Sequence, residues 1–294
     1  MAGGLGSRYQ GLKQVDAVLE SGETLLEFSI YDAIICGFDK IVLVLNKKIE
    51  THFIEKIKII CTSRKVVFEY VFQEISSFVP HKYFDAAAKR QKPLGTAHAI
   101  LCARNLISES FVVINADDFY GRNTFEKAFE LLKNKKIDDF NYQMIAFEIA
   151  STLSENGSVS RGICTVDNHD KLIKIDEHTE ILKIDSQIIS VQNKKVLDGN
   201  SLSSMNFWCF GKSIFEHLEK EFLFFLENLQ TEKQEFFIPM VVQKLILQHK
   251  ISVKVSQTLS IWFGLTYADD KILLQTEIQK LIKNDVYPEK LWLS

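Results

Sequence analysis

The sequence predicts an α/β protein with a mostly parallel central sheet flanked by helices and a second lobe of mixed β-structure. Two observations predict the sheet. Short β-branched apolar runs alternate with helical periodicities up to about residue 140, and beyond that point strand candidates outnumber helices. A third bears on domain organisation. Only four prolines occur and no low-complexity linker interrupts the chain. Residues 1–294 are therefore expected to form one unit, with lobes at about 1–121 and 122–294.

Each element follows from its own stretch. Leu25, Leu26, Phe28, Ile30, Ala33, Ile34 and Ile35 recur at helical spacing, and Gly37 is placed to end that helix. Ile41 to Leu45 is a two-sided apolar run, the mark of a buried parallel strand. A helix is expected over 49–60, a strand over 66–72, a helix over 96–106, a strand over 111–115 and a helix over 124–132. Strands are then expected over 142–149, 162–166, 171–175 and 205–210. The polar stretch 185–200 between the last two reads as a hairpin or loop. Helices resume over 212–229, 235–249 and 270–283, with a last strand near 253–255. Right-handed crossovers join the parallel strands.

The opening residues carry the clearest chemistry. Met1-Ala2-Gly3-Gly4-Leu5-Gly6-Ser7-Arg8 places three glycines within four positions, and Lys13 follows closely. Such a turn lets backbone N–H groups point into one concavity and bind an anion. Arg8 and Lys13 add positive charge, so the loop suits a polyphosphate, with a nucleoside triphosphate as candidate. An ordinary turn with two solvated basic residues is the plain alternative.

Composition excludes several classes. The chain has 46% hydrophobic and 25% charged residues and a net charge of −3, the balance of a globular protein. No basic run suits nucleic acid, and the longest apolar runs are too short to cross a bilayer. Five cysteines, none spaced C-x-x-C, read as reduced and mostly buried thiols. With no charged-then-apolar leader before the first motif, a cytoplasmic protein is expected.

In an open parallel sheet, ligands bind beyond the carboxyl ends of the strands. Asn115-Ala116-Asp117-Asp118 stands at such an end, where a carboxylate can hold Mg²⁺ beside water and phosphate oxygens. Both acids could instead cap the following helix. Gln73 ends another strand and carries an amide suited to the edge of a base. Thr96 could be the N-cap of its own helix, and His98, one turn further on, reads as structural.

The first loop, with Gly-Gly-x-Gly-Ser/Thr-Arg and a nearby lysine, resembles the signature of the nucleotidylyltransferases that activate sugar 1-phosphates. The resemblance continues in order through Gln73, Pro93-Leu94-Gly95-Thr96-Ala97-His98-Ala99, Asn115-Ala116-Asp117-Asp118, Gly162, Glu177 and Asn206. It implies a Rossmann-like, glycosyltransferase-A-like sheet, a second mixed-β lobe that binds the sugar, and Mg²⁺ as cofactor. It also implies a nucleoside triphosphate and a sugar phosphate as substrates. By resemblance, Ala2, Gly3, Gly4, Leu5, Gly6 and Ser7 cradle the triphosphate, Arg8 and Lys13 act on the phosphates, and Asp117 holds the metal. Gln73, Gly95 and Thr96 recognise the base. Gly162, Glu177 and Asn206 take the acceptor, although Glu177 alone could be a surface acid and Asn206 a polar interruption of a strand. Arg161 is an unassigned charge that could reach a substrate phosphate.

Two features depart from the pattern. Where better-known sugar members carry a second metal-binding aspartate two residues after a tryptophan, this chain has Gly264 after Trp262-Phe263. Asp269 or Asp270 could replace it, or Asp270 could simply begin the last helix. The departure leaves open a non-catalytic, nucleotide-sugar-sensing relative. A non-sugar acceptor such as phosphocholine also stays open, and a dinucleotide-binding oxidoreductase is a distant third. The second departure is at the front. Met1 occupies the expected last position of a strand, so most of a first strand is expected to be lacking. An apolar extension of about five or six residues is expected to raise stability and turnover.

Overall fold

The computed structural model describes residues 1–3, 17–88, 90, 92–192, 194–264 and 270–292. Gly4, Leu5, Gly6, Ser7, Arg8, Lys13 and Asp269 lie outside the described residues. The first half of the chain comprises α1 (Leu25–Cys36), β1 (Lys40–Leu45), α2 (Thr51–Ser63), β2 (Val67–Phe72), α3 (Phe84–Ala88) and α4 (Thr96–Cys102). Next come β3 (Phe111–Val113), β4 (Asp118–Phe119), α5 (Arg122–Lys133) and β5 (Asn141–Glu148). Then β6 (Val159–Val166), β7 (Leu172–Ile184), β8 (Gln187–Ser190), β9 (Lys195–Leu197) and β10 (Leu202–Phe210) follow almost without helices. The chain closes with α6 (Ile214–Glu227), α7 (Ile238–Leu247), β11 (Ser252–Gln257), β12 (Phe263–Gly264) and α8 (Asp270–Lys283).

The fold is α/β, with a large sheet flanked by helices, as the sequence predicts. β1 and β2 pair in parallel, and Ala2 continues this arrangement by a parallel bridge to Leu45. Met1 lies between Ala2 and β3: its amine donates to Ile114 O at 2.8 Å, and Ala116 N donates to Met1 O at 2.9 Å. β3 pairs antiparallel with β10, β10 antiparallel with β5, and β5 parallel with β11. Every strand of this central layer therefore runs one way except β10. The second β region, β6 to β9, is an antiparallel meander attached to β10 through β6. The stretch 185–200 is the β8–β9 hairpin, and β7 runs well beyond the expected 171–175, to Ile184.

Caps and packing explain the first helix. Thr24 and Glu27 form a reciprocal capping box, and Gly37 ends the helix in the left-handed conformation at φ 106°. Glu27, fully buried, also accepts from Lys56 Nζ and Trp292 Nε1 at 2.9 and 2.8 Å. The largest core lies between the central layer and helices α4, α6 and α7, around Tyr142, Trp208, Phe210 and Phe222. The five cysteines are free thiols, and burial pushes those of Cys36, Cys102, Cys164 and Cys209 up to about 12. Such thiols are inert. Among the described residues no helix is long and apolar enough to cross a membrane.

Candidate active site

The site is built where β10 changes partners. Its second half, Trp208–Phe210, pairs with β3, and its first half, Ser203–Ser204, pairs with β6 on that same side. Between the halves the ladder with β5 shifts register, from Ser204 to Trp208. Asn206 sits at this bulge with φ 60°, a left-handed conformation that asparagine tolerates better than most residues. The fork so formed receives the residues that follow β3.

A cavity of about 260 Å³ fills the fork and is lined by Asn115, Asp117, Asp118, Arg161, Gly162, Glu177, Ser204, Asn206 and Trp262, among others. Asp117, Gly162, Glu177 and Asn206, four residues far apart in sequence, are thus brought to one place. Gly162 pairs with Glu177 on β7 and with Ser204 on β10, which sets these groups side by side in one wall.

The charges in this wall are arranged unequally. Asp117 is half-buried and its carboxylate is accessible from the cavity. Asp118 is buried, and burial together with the neighbouring Asp117 pushes its carboxyl up to about 7. Its Oδ2 accepts from Asn115 Nδ2 at 2.9 Å and lies 3.1 Å from the Tyr120 hydroxyl. That hydroxyl also donates toward Met205 O at 2.8 Å and has one proton for two acceptors. Burial likewise raises the Glu177 carboxyl, an effect opposed by Arg161. Arg161 is the buried cation of the site. Burial brings it down to about 10 against the pull of Asp118, Glu177 and Asp270, so it stays protonated near neutral pH. Its guanidinium lies 4.7 Å from the Trp262 ring centroid, donates to Ser160 O at 2.8 Å, and is held by Thr152. Sequence reasoning left Arg161 unassigned, with a substrate phosphate as its candidate partner, and did not foresee its burial against Trp262.

The other sequence-predicted cluster forms on the opposite side of β3. Gln73, at the end of β2, donates from Nε2 to Gly95 O at 2.9 Å. Gly95 has φ 112° and ψ 177°, and a Cβ there would stand 2.5 Å from Phe236 O. Only glycine fits that position. A Cβ on Gly3 would stand 2.2 Å from Gln73 Oε1, so Gly3 and Gln73 are in close contact, with Ala2 buried beside them. Thr96 does not cap its own helix; Gly95 is the N-cap, and the Thr96 hydroxyl accepts from Ile238 N at 3.2 Å. His98 is fully buried and stacks on Phe222 at 4.9 Å. Its Nε2 lies 2.9 Å from Ser77 O and its Nδ1 lies 3.3 Å from Gln73 Nε2. A proton on Nε2 leaves Nδ1 free to accept from Gln73, so His98 orients the glutamine amide.

Of the two candidate second acids, Asp269 lies outside the described residues and Asp270 falls elsewhere. Asp270 is buried at the start of α8, where it accepts from Ser154 Oγ at 2.8 Å and Asn156 Nδ2 at 2.9 Å. It lines a neighbouring cavity of about 210 Å³, which also touches Arg161, Trp262 and Gly264. Gly264 pairs across β12–β4 with Asp118, and a Cβ there would stand 2.5 Å from the Trp262 ring and 2.9 Å from Asp118 Oδ1. Trp262 and Asp118 already fill the place of a side chain at that position. Among the described residues no group of three or more His, Cys, Asp or Glu side chains gathers to hold a metal. The half-buried carboxylate of Asp117 still fits Mg²⁺, which takes one or two carboxylates and completes its shell with water and phosphate oxygens.

The sequence profile of the family described as Nucleotidyl transferase matches residues 1–263. No match was found among curated proteins. Among solved structures, the chain is similar to a putative glucose-1-phosphate thymidylyltransferase from Bacillus anthracis in complex with a sucrose. The TM-score is 0.61 at 13% identity, over 99% of this chain and 96% of that one. It is similar also to a UDP-glucose pyrophosphorylase complexed with UDP-glucose, with TM-score 0.61 at 17% identity, over 95% and 96% of the two chains. At these identities the likeness speaks to the fold alone.

Two tests follow from the geometry. Burial lowers the His98 ring from 6.5 to about 4. The unfolded chain therefore binds this proton at higher pH than the folded one. Stability from the neutral ring is full above about pH 6.5 and is lost as pH falls toward 4, by up to about 3 kcal/mol. The unfolding free energy of His98→Asn, measured by denaturant titration at pH 7 and 4.5, should fall correspondingly less than that of the parent; equal falls would contradict the assignment. Gly264→Asp should lower the melting temperature and leave turnover no higher, because the new carboxylate meets Trp262 and Asp118. A gain in turnover would show that the position has room for a metal ligand.

Proposed function

The chain belongs to the nucleotidyl transferase family, and from that premise we propose that it joins a nucleoside triphosphate to a sugar phosphate with Mg²⁺, releasing pyrophosphate. The observation that carries the acceptor class is the single polar cavity that gathers Asp117, Gly162, Glu177 and Asn206. A carboxylate and an asparagine amide in one wall suit a ligand with several hydroxyl groups. Phosphocholine fits less well. A quaternary ammonium seeks open aromatic faces, and here the Arg161 guanidinium already lies over the Trp262 ring.

An oxygen of the acceptor phosphate attacks the α-phosphorus in line; the new P–O bond forms as the bond to the β-phosphate oxygen breaks, and pyrophosphate leaves with that electron pair. A phosphate monoester is already ionised near neutral pH, so no protein nucleophile is needed, and catalysis is positioning and charge stabilisation. Residues Ala2 to Ser7 cradle the triphosphate, Arg8 neutralises the β- and γ-phosphates, and Lys13 bridges the α-phosphate and the incoming phosphate. Gln73, oriented by His98, presents its amide to the base beside Gly95 and Thr96. Glu177 and Asn206 take acceptor hydroxyls, and Gly162 packs against the acceptor. Asp117 would hold Mg²⁺, which when bound supplies Lewis-acid stabilisation of the phosphoryl oxygens. Asp118 supports Asp117 from behind. Residues 1–294 are read as one catalytic unit with a nucleotide side at about 1–121 and an acceptor side at about 122–294, acting in the cytoplasm.

A non-catalytic, ligand-sensing relative would bind nucleotide without releasing pyrophosphate. The feature in its favour was Gly264, and the packing of Trp262 and Asp118 gives that glycine a reason unrelated to loss of activity.

The test is pyrophosphate release from a matrix of common triphosphates and sugar 1-phosphates, repeated with variants on the best pair. Asp117→Asn and Lys13→Ala should each raise the barrier by about 2.7–4 kcal/mol, the loss typical of a transition-state charge contact. Asp118→Asn should be milder than Asp117→Asn. Turnover within a factor of about two of the parent for Lys13→Ala, which lies well inside one kcal/mol, would sink the assignment.

A further inference from the structure

The contacts around His98 fix which atom of the Gln73 amide is left for a ligand. Ser77 O is a carbonyl oxygen and can only accept, so the His98 Nε2 that lies 2.9 Å from it carries a proton. A neutral imidazole has one N–H, and burial keeps this ring neutral near pH 7 by lowering it to about 4. Nδ1 is therefore bare. Cys102 Sγ lies 4.0 Å from it, and burial holds that thiol protonated.

Gln73 meets two acceptors with the same end of its side chain. Nε2 lies 2.9 Å from Gly95 O and 3.3 Å from His98 Nδ1. A primary amide carries two N–H groups, and these two acceptors take both. The reverse orientation would set Oε1 against a carbonyl oxygen and a bare ring nitrogen, with no proton between them. Gly95 itself is held on both sides by Phe236, whose N–H donates to Leu94 O at 2.7 Å and whose O accepts from Ala97 N at 2.9 Å. The amide is thus locked, with Nε2 engaged inside the protein. Oε1 is what remains. It has no partner among the described residues and lies against Gly3, at the head of the glycine-rich stretch.

A glutamine amide commonly reads adenine with both ends: its oxygen takes an amine N–H while its nitrogen donates to a bare ring nitrogen. The same two-point pairing suits the amine and bare ring nitrogen of cytosine. With both hydrogens of Nε2 engaged, neither pairing can form. An acceptor alone suits a base whose ring nitrogen carries hydrogen on the pairing edge, as in uracil, thymine and guanine. That N–H stands next to carbonyl groups and is a stronger donor than an exocyclic amine.

We propose that His98 sets the base specificity of this site. By taking the second Nε2 hydrogen of Gln73 it leaves the base an acceptor only, and so selects uracil, thymine or guanine over cytosine and adenine. His98 is a positioning residue and acts through Gln73. The inference rests on the nucleotidyl-transfer reading for the place of the base, and nucleotide binding tests it separately from turnover.

Nucleoside diphosphates are titrated by calorimetry, and kcat and KM are measured for the matching triphosphates with one sugar 1-phosphate. The better of UDP and GDP should bind at least about tenfold more tightly than CDP and ADP, and kcat/KM should show the same margin. Methylating the ring nitrogen of the preferred base (N3 of uracil or N1 of guanine) should weaken binding by at least about tenfold. His98→Leu frees one amide hydrogen and should shrink the margin through KM for the triphosphates, leaving KM for the sugar phosphate within about twofold. His98→Asn, whose side-chain oxygen can accept the same hydrogen, should keep most of the margin. If His98→Leu does not fold, the methylated nucleotides decide on the parent chain. Equal or tighter binding of CDP or ADP would overturn the proposal, as would indifference to ring methylation or an unchanged margin in a folded His98→Leu chain. No binding of any nucleoside diphosphate would overturn it together with the nucleotidyl-transfer reading. The expected binding margin without pyrophosphate release would support it and contradict that reading alone.

Discussion

The bulge at Asn206 is the constraint on which the candidate site depends. β10 has two edges, and β5 takes one of them on both sides of the bulge. The other edge is divided between β3 and β6. A regular strand would carry one neighbour along its full length and leave no opening. The left-handed residue lets the strand shift register, and the fork opens at the point where β3 ends. Ligand sites in open α/β sheets form where neighbouring connections diverge at strand ends; here the divergence is between a central layer and an antiparallel meander. Asp117 arrives from the first and Glu177 from the second, with Asn206 on the strand they share.

The electrostatics of the fork follow from unequal burial. Asp117 and Asp118 are adjacent in sequence, yet Asp117 is half-buried while Asp118 is buried behind it and has its carboxyl raised to about 7. Burial and the neighbouring carboxylate both disfavour the charged form of Asp118. Arg161 answers the remaining negative charge from the opposite side. Its guanidinium rests on Trp262, which in turn fixes the room around Gly264.

Much of the fold was legible because apolar periodicity is local. The helix over 25–36 and its Gly37 cap, the β1 and β2 runs, and α8 at Asp270–Lys283 all stand close to where the pattern put them. What was not legible depends on pairing between distant segments. The length of β7 reflects two successive partners, β6 and β8, which no single stretch reveals. His98 read correctly as structural, but its hold on Gln73 joins residues from two elements and has no sequence spacing. Gly264 looked like a missing ligand because its neighbour across the ladder, Asp118, lies far away in the chain. The resemblance gathered Gly162, Glu177 and Asn206 before any geometry did, and the three line one cavity. The roles proposed for Arg8 and Lys13, and the candidacy of Asp269, rest on the sequence, since these residues lie outside those described.

The central claim, transfer of a nucleotidyl group to a phosphate acceptor, is tested most directly by the fate of labelled phosphorus. The enzyme is incubated with Mg²⁺, a sugar 1-phosphate, and triphosphate labelled either at the α- or at the γ-position. The account predicts α-label in a nucleotide sugar and γ-label in pyrophosphate, both only when the acceptor is present. Transfer of γ-label to the acceptor, or release of γ-label as inorganic phosphate without it, would contradict the account.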